Sequence, residues 1–192
     1  MAASFPDAEP VETVERNLSV GIRIWAGATT FAFLGPFFAF FYLRSLNTAD
    51  LWRPAHVDPS QGLGAAIVTL TVLSSVALLL AARRPEERMW KALVALSLVL
   101  GFAAVALQCV EYTELGFGPM DGGYASVFLA WTGLTAVFSL ATMLWLETLL
   151  AWGLRDPTVA LPAVAPRLAA LAFYWTYFTI LAVIMWVVLY LV

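Results

Sequence analysis

Residues 92–110, ALVALSLVLGFAAVALQCV, decide the fold of this chain. A run of about 20 apolar residues is long enough to cross the hydrocarbon core of a bilayer as a helix. A helix also satisfies its own backbone N–H and C=O groups, which lipid cannot do. Working outward, four more stretches read the same way, giving spans at Val20–Leu43, Leu63–Ala82, Ala92–Val110, Val127–Leu150 and Leu168–Val192. None has an ionisable residue near its centre. The chain is 62% hydrophobic and 12% charged over 192 residues. The expected fold is an all-α integral membrane bundle of five transmembrane helices: an acidic tail over 1–19 and a membrane domain over 20–192.

The connectors are too short to form an extramembrane domain, so chemistry in a water-soluble module is excluded. The N-terminal region, with Asp7, Glu9, Glu12 and Glu15, lacks the basic and apolar segments of a cleaved signal peptide. The first span is expected to act as the insertion signal. With five spans, one face carries Arg16, Arg23, Arg83, Arg84, Arg88, Lys91, Arg155 and Arg167, and the other only Arg44 and Arg53. The positive-inside bias puts the N-terminus in the cytoplasm and the C-terminus on the outer, periplasmic side. Arg83, Arg84, Arg88 and Lys91 determine topology or hold anionic lipid headgroups. Trp25, Trp52, Trp90 and Trp152 fit an interfacial belt.

Several local expectations follow. Gly35-Pro36 should kink the first span, because proline removes a backbone hydrogen bond. The last connector, with Pro157, Pro162 and Pro166, reads as extended. Cys109 reads as a small buried hydrophobe. Thr132, Thr135, Ser139 and Thr142 share one helical face, as do Ala172, Thr176, Thr179 and Val183. Small and hydroxyl residues let helices approach closely, so these stripes read as packing faces, and as the faces to meet a partner.

The chemistry-bearing residues are few. Haem held by two histidines needs two, and a three-histidine copper site needs three. The chain has one, His56, in the first connector. A proton relay needs buried Asp, Glu or His, and the middles of the spans have none. No phosphate loop, zinc spacing or nucleophile–base pair is present, so catalytic, cofactor-binding and metal residues are all read as none. Glu147 is expected close to the interface. Glu111 reads two ways: an acid at the water boundary, or a contact to a partner subunit or to nearby Thr or Tyr hydroxyls.

A family resemblance then emerges. Gln108-Cys109-Val110-Glu111-Tyr112 resembles the Gln-x-x-Glu-Tyr element of subunit III of the haem-copper cytochrome oxidases. Tyr124-Ala125-Ser126-Val127-Phe128 with Thr132-Gly133 resembles its Tyr-x-Ser-x-Phe … Thr-Gly stretch, and Tyr174-Trp175 its Tyr-Trp-His-Phe-x-Asp element. Trp52-Arg53-Pro54 is similar to a Trp-Pro-Pro loop, and Ser74-Ser75 to a Ser-Ser in the next span. The order holds from about Val20 onward and fits the short, five-helix form of the family. The departures are informative. By ungapped matching, a buried family glutamate falls at Thr29, two histidines at Thr135 and Phe138, and a His and an Asp at Thr176 and Thr179. A threonine hydroxyl can bond to a carbonyl in its own preceding turn, so it costs little inside a membrane. We read these substitutions as the joint neutralisation of a buried polar network.

The resemblance implies a non-catalytic accessory subunit of a bacterial terminal oxidase. It implies no redox centre in this chain, haem and copper in the partners, and bound phospholipid. The implied partners are the catalytic subunit I, subunit II and membrane lipid, with no nucleic acid, in the bacterial plasma membrane. Two other readings stay open: an accessory subunit of a nitric oxide reductase or other respiratory supercomplex, and a small independent transporter or channel.

Overall fold

The computed structural model describes residues 11–47, 52–53, 57–83, 89–155 and 161–192. The helices are α1 (Val11–Ser45), α2 (Gln61–Arg83), α3 (Met89–Glu114), α4 (Gly123–Arg155) and α5 (Leu161–Trp186), and α5 passes into a π-helical turn at Val187–Leu191. All five are long and apolar enough to cross a membrane. At 1.5 Å per residue, the 26 residues of α3 extend about 39 Å, enough for the hydrocarbon core and part of each headgroup layer.

The helices outrun the apolar stretches at most ends. α1 begins at Val11, inside the stretch read as tail, and carries Glu12, Glu15 and Arg16 on its first turns. α3 continues through Glu111 to Glu114, and α4 starts at Gly123. A helix needs hydrogen bonds rather than apolar side chains, so hydropathy marks where it enters lipid, not where it ends. α1 runs unbroken through Gly35-Pro36. The expectation of an extended connector at the prolines is corrected in part. Pro162 and Pro166 lie within α5, Pro162 in its first turn, where the missing N–H would have had no helical partner. Pro157 and His56 lie outside the described residues.

α5 is central, packing against α1, α2 and α4, while α3 lies between α2 and α4. Lipid tails are as apolar as the side chains, so close contact rather than water exclusion must hold the helices together. Two glycines make this visible. A Cβ on Gly101 of α3 would collide with the sulfur of Met143 on α4, and one on Gly64 of α2 would enter the Tyr190 ring. Trp131, Trp175, Phe128 and Phe178 are fully buried around these contacts. The α4 stripe of Thr132, Thr135, Ser139 and Thr142 is buried within this chain. It packs the bundle internally and is not free to meet a partner. Two further expectations are corrected. Cys109 is exposed on the outside of the bundle. Trp90 is 2% exposed and sits beside Gly153, so it is a core residue and no part of an interfacial belt. Trp25 and Trp152 are exposed.

Candidate functional site

The densest polar structure lies where α1, α3 and α5 finish and α2 and α4 begin. Glu111, one turn before the end of α3, is 1% exposed. Burying a carboxyl group is costly unless its oxygens are hydrogen-bonded. Both are. Gln108 Nε2, one turn earlier, donates to Oε2 at 2.7 Å, and the Tyr190 hydroxyl of the π turn donates to Oε1 at 2.6 Å. Of the two readings of Glu111, the structure gives the hydroxyl contact, and the donor comes from this chain.

The π turn is held from several sides. Gln61 Nε2 at the start of α2 donates to the Tyr190 carbonyl at 2.6 Å, and the Tyr124 hydroxyl on α4 donates to the Leu189 carbonyl at 2.6 Å. Arg44 at the end of α1 reaches the Val192 carbonyl at 3.0 Å. The last carbonyls of a helix have no partner within it. Here side chains of three other helices supply one. Tyr124 is fixed in turn: its backbone N–H donates to the Trp52 carbonyl at 2.9 Å, and the Arg53 guanidinium lies 4.4 Å from its ring centroid. Arg53 also pairs with Asp58 and donates to the Val57 carbonyl.

The other family-matched residues lie deeper. The Tyr112 hydroxyl donates to Thr132 Oγ1 at 2.8 Å, and Gly133 lies beside that hydroxyl. Trp175 Nε1 donates to Ser74 Oγ at 3.0 Å, and Ser74 donates to the Ser97 carbonyl at 2.8 Å, joining α5, α2 and α3. Ser75 donates to Thr176 Oγ1. The Tyr174 hydroxyl lies 3.1 Å from Thr29 Oγ1, and Thr30 makes the corresponding contact to Tyr177.

Of the four threonines singled out by the resemblance, Thr29, Thr135 and Thr179 are buried and Thr176 half-buried. Thr29, Thr135 and Thr179 each donate to the carbonyl four residues earlier, on Trp25, Trp131 and Trp175. They do not bond to one another. Thr135 instead meets Met185 Sδ at 3.0 Å. Thus Gln108, Glu111, Tyr112, Tyr124, Thr132, Tyr174 and Trp175 all point into the bundle, in four separate groups rather than one.

Spacing did not reveal Tyr190, Gln61 or Arg53. The available signal was slight: a lone tyrosine near the end of an aliphatic span, and a glutamine opening another. Arg83 and Lys91 lie at the opposite end of the bundle, with the Lys91 amine 5.7 Å from the Trp90 ring centroid; Arg84 and Arg88 lie outside the described residues. Among the described residues, no three His, Cys, Asp or Glu side chains converge as a metal would require. The polar groups are arranged to bond one another across helices. That holds helices in register.

Comparison with known proteins fits this arrangement. Residues 5–192 match the family model for cytochrome c oxidase subunit III. The cytochrome c oxidase subunit 3 proteins of Struthio camelus and Gallus gallus are 35% and 33% identical to this chain over 129 residues, 63% of this chain and 49% of each relative. That of Ornithorhynchus anatinus is 31% identical over a similar length. The chain therefore spans about half the length of the curated relatives it matches. With a match over nearly its whole length, this five-helix chain belongs to the cytochrome c oxidase subunit III family.

Proposed function

We propose that this chain is a non-catalytic accessory subunit of a bacterial haem-copper terminal oxidase. It packs on the catalytic subunit I, and subunit II, in the plasma membrane and holds phospholipid there. The family match over residues 5–192 carries this reading. The donor set supports it: one histidine cannot supply the bis-histidine pair of a haem or the three histidines of a copper site. In this reading the partner subunits hold the haem and copper, which supply the oxygen chemistry, and this chain braces them.

The N-terminus faces the cytoplasm in this proposal. Eight basic residues on the N-terminal face against two on the other support that orientation. Arg83, Arg84, Arg88 and Lys91 then lie at the cytoplasmic surface, where they fit anionic headgroups. The four threonines argue for a scaffold that has dispensed with a charged network. Glu111 is the buried carboxyl group that remains in the described part of the bundle, and its oxygens are taken up by Gln108 and Tyr190.

The divergence at Thr29, Thr135, Thr176 and Thr179 favours a second reading, an accessory subunit of a nitric oxide reductase or another respiratory assembly. An independent transporter or channel is disfavoured. Such proteins use broken helices at mid-membrane, and the candidate break at Gly35-Pro36 is an unbroken helix.

Purification of the tagged chain from its native membrane in mild detergent tests the proposal. Co-purifying chains with a reduced-minus-oxidised haem spectrum and oxygen consumption are expected. Nitric oxide consumption without oxygen consumption transfers the chain to the second reading. A colourless, solitary chain refutes both.

A further inference from the structure

A small cavity lies where α2, α3, α4, α5 and the π turn converge. Its volume is about 20 Å³, and Thr71, Gln108, Thr135, Ala182, Trp186 and Tyr190 are among the residues that line it. Three of these are polar side chains buried inside the bundle: Thr71, Gln108 and Thr135. The two threonine hydroxyls donate to the Ile67 and Trp131 carbonyls, which leaves their oxygens free to accept. Gln108 gives one Nε2 hydrogen to Glu111. Its Oε1 receives no hydrogen bond from the described residues. A glutamine amide carries an acceptor and two donors, so part of this amide's capacity stays open beside the cavity, and the indole Nε1 of Trp186, a lining residue, is buried without a partner.

We propose that this cavity is a binding site for a single water molecule. The water donates to Gln108 Oε1 and to a threonine oxygen. A water needs roughly 10–15 Å³ of such space and two to four polar partners. This cavity has room for one, and Gln108, Thr71 and Thr135 supply the partners. The consequence reaches beyond the cavity. Water on Oε1 fixes which way the Gln108 amide faces, which keeps Nε2 on Glu111. Glu111 in turn receives the Tyr190 hydroxyl and so holds the π turn. The water is therefore the inner end of a chain of hydrogen bonds that runs to the C-terminal turn. The site belongs to this chain alone and does not depend on the complex the chain joins.

Two measurements test it, both on the full chain in its native complex. The first is an electron-microscopy structure at a resolution that shows ordered internal waters. Density within hydrogen-bond distance of Gln108 Oε1 is expected. A cavity without density, while other internal waters are visible, overturns the proposal. The second is Ala182→Val, which places two methyl groups where the water would sit. Displacing the water orphans Oε1, so the melting temperature should fall by a few degrees. In a Gln108→Leu background no amide remains to orphan, and the same change should cost markedly less. An equal fall in both backgrounds reflects overpacking alone, and a rise in the Gln108 background reflects a dry void filled. Either result overturns the proposal.

Discussion

The two ends of the bundle are built on different principles. Where α1, α3 and α5 finish, side chains from α1, α2, α3 and α4 converge on the last residues of the chain, through Arg44, Gln61, Glu111 and Tyr124. Where the same helices begin, the contacts are looser. Clefts of about 520 and 550 Å³ open between α1 and its neighbours, lined by residues such as Arg16, Arg23, Asn17 and Trp145. Among the described residues there, the Arg167 guanidinium lies 5.0 Å from the Trp152 ring centroid. One end is knitted by hydrogen bonds between distant segments, and at the other the described residues leave wide clefts beside α1. In a medium where apolar burial gives little net drive for helix association, the knitted end is expected to set the register of the whole bundle.

The largest effect should follow Tyr190→Ala. The ring packs against Gly64 and lies 5.6 Å, centroid to centroid, from Phe128, and its hydroxyl serves Glu111. Truncating a buried aromatic side chain typically costs about 3–5 kcal/mol, and here a carboxyl oxygen is orphaned as well. Loss of the folded chain, or a steep drop in detergent unfolding temperature, is the expected outcome. A near-neutral result would mean that the C-terminal turn does not organise the bundle.

Tyr190→Phe sharpens the same point. It keeps the ring and removes only the donor to Glu111 Oε1, and leaving such a group unpaired costs roughly 1–3 kcal/mol. Adding Glu111→Leu should then recover part of the loss, because both partners are now apolar. If the double variant is as unstable as the sum of the two single ones, the Tyr190–Glu111 bond is not coupled and the knitted end is held by packing.

Five spans were legible in the sequence because lipid imposes a length and a polarity that composition reports directly. The resemblance added Gln108, Glu111, Tyr112, Tyr124, Tyr174 and Trp175, and each lies inside the bundle. Which face a residue takes was less legible. In a helix apolar all round, nothing in the local pattern separates a core position from a lipid-facing one, so Cys109 read as buried and Trp90 as interfacial. Partners far apart in sequence were invisible for a different reason. Gln61 and Tyr190 are 129 residues apart, and no spacing rule connects the start of α2 with a turn that ends α5. Even the π turn left no trace. It depends on Leu189 and Tyr190 carbonyls finding donors on other helices, a property of the assembled bundle.

A smaller loss is expected for Trp175→Phe, which removes the indole donor to Ser74 at the level where α2, α3 and α5 meet. Ser74 keeps its bond to the Ser97 carbonyl, so no hydroxyl hydrogen is orphaned, and the cost should be about 1 kcal/mol. Unfolding in mixed micelles resolves a change of that size.

The smallest effect should be at Thr29, whose hydroxyl closes on its own helix. Thr29→Val keeps the shape, removes a bond to the residue's own preceding turn, and takes one partner from the Tyr174 hydroxyl. Hydrogen bonds between helices in membranes average only about 0.6 kcal/mol, and the back-bond to Trp25 contributes nothing between helices. The expected cost is therefore well below that of Tyr190→Phe. The physical reason is the reference state. A threonine whose hydroxyl closes on its own helix is satisfied before the helices associate, whereas Glu111 takes one of its two donors from a turn that exists only once they have. A Thr29→Val loss equal to the Tyr190→Phe loss would erase the contrast between the knitted end and the middle of the bundle. It would also mean that the threonine positions still work as a connected network.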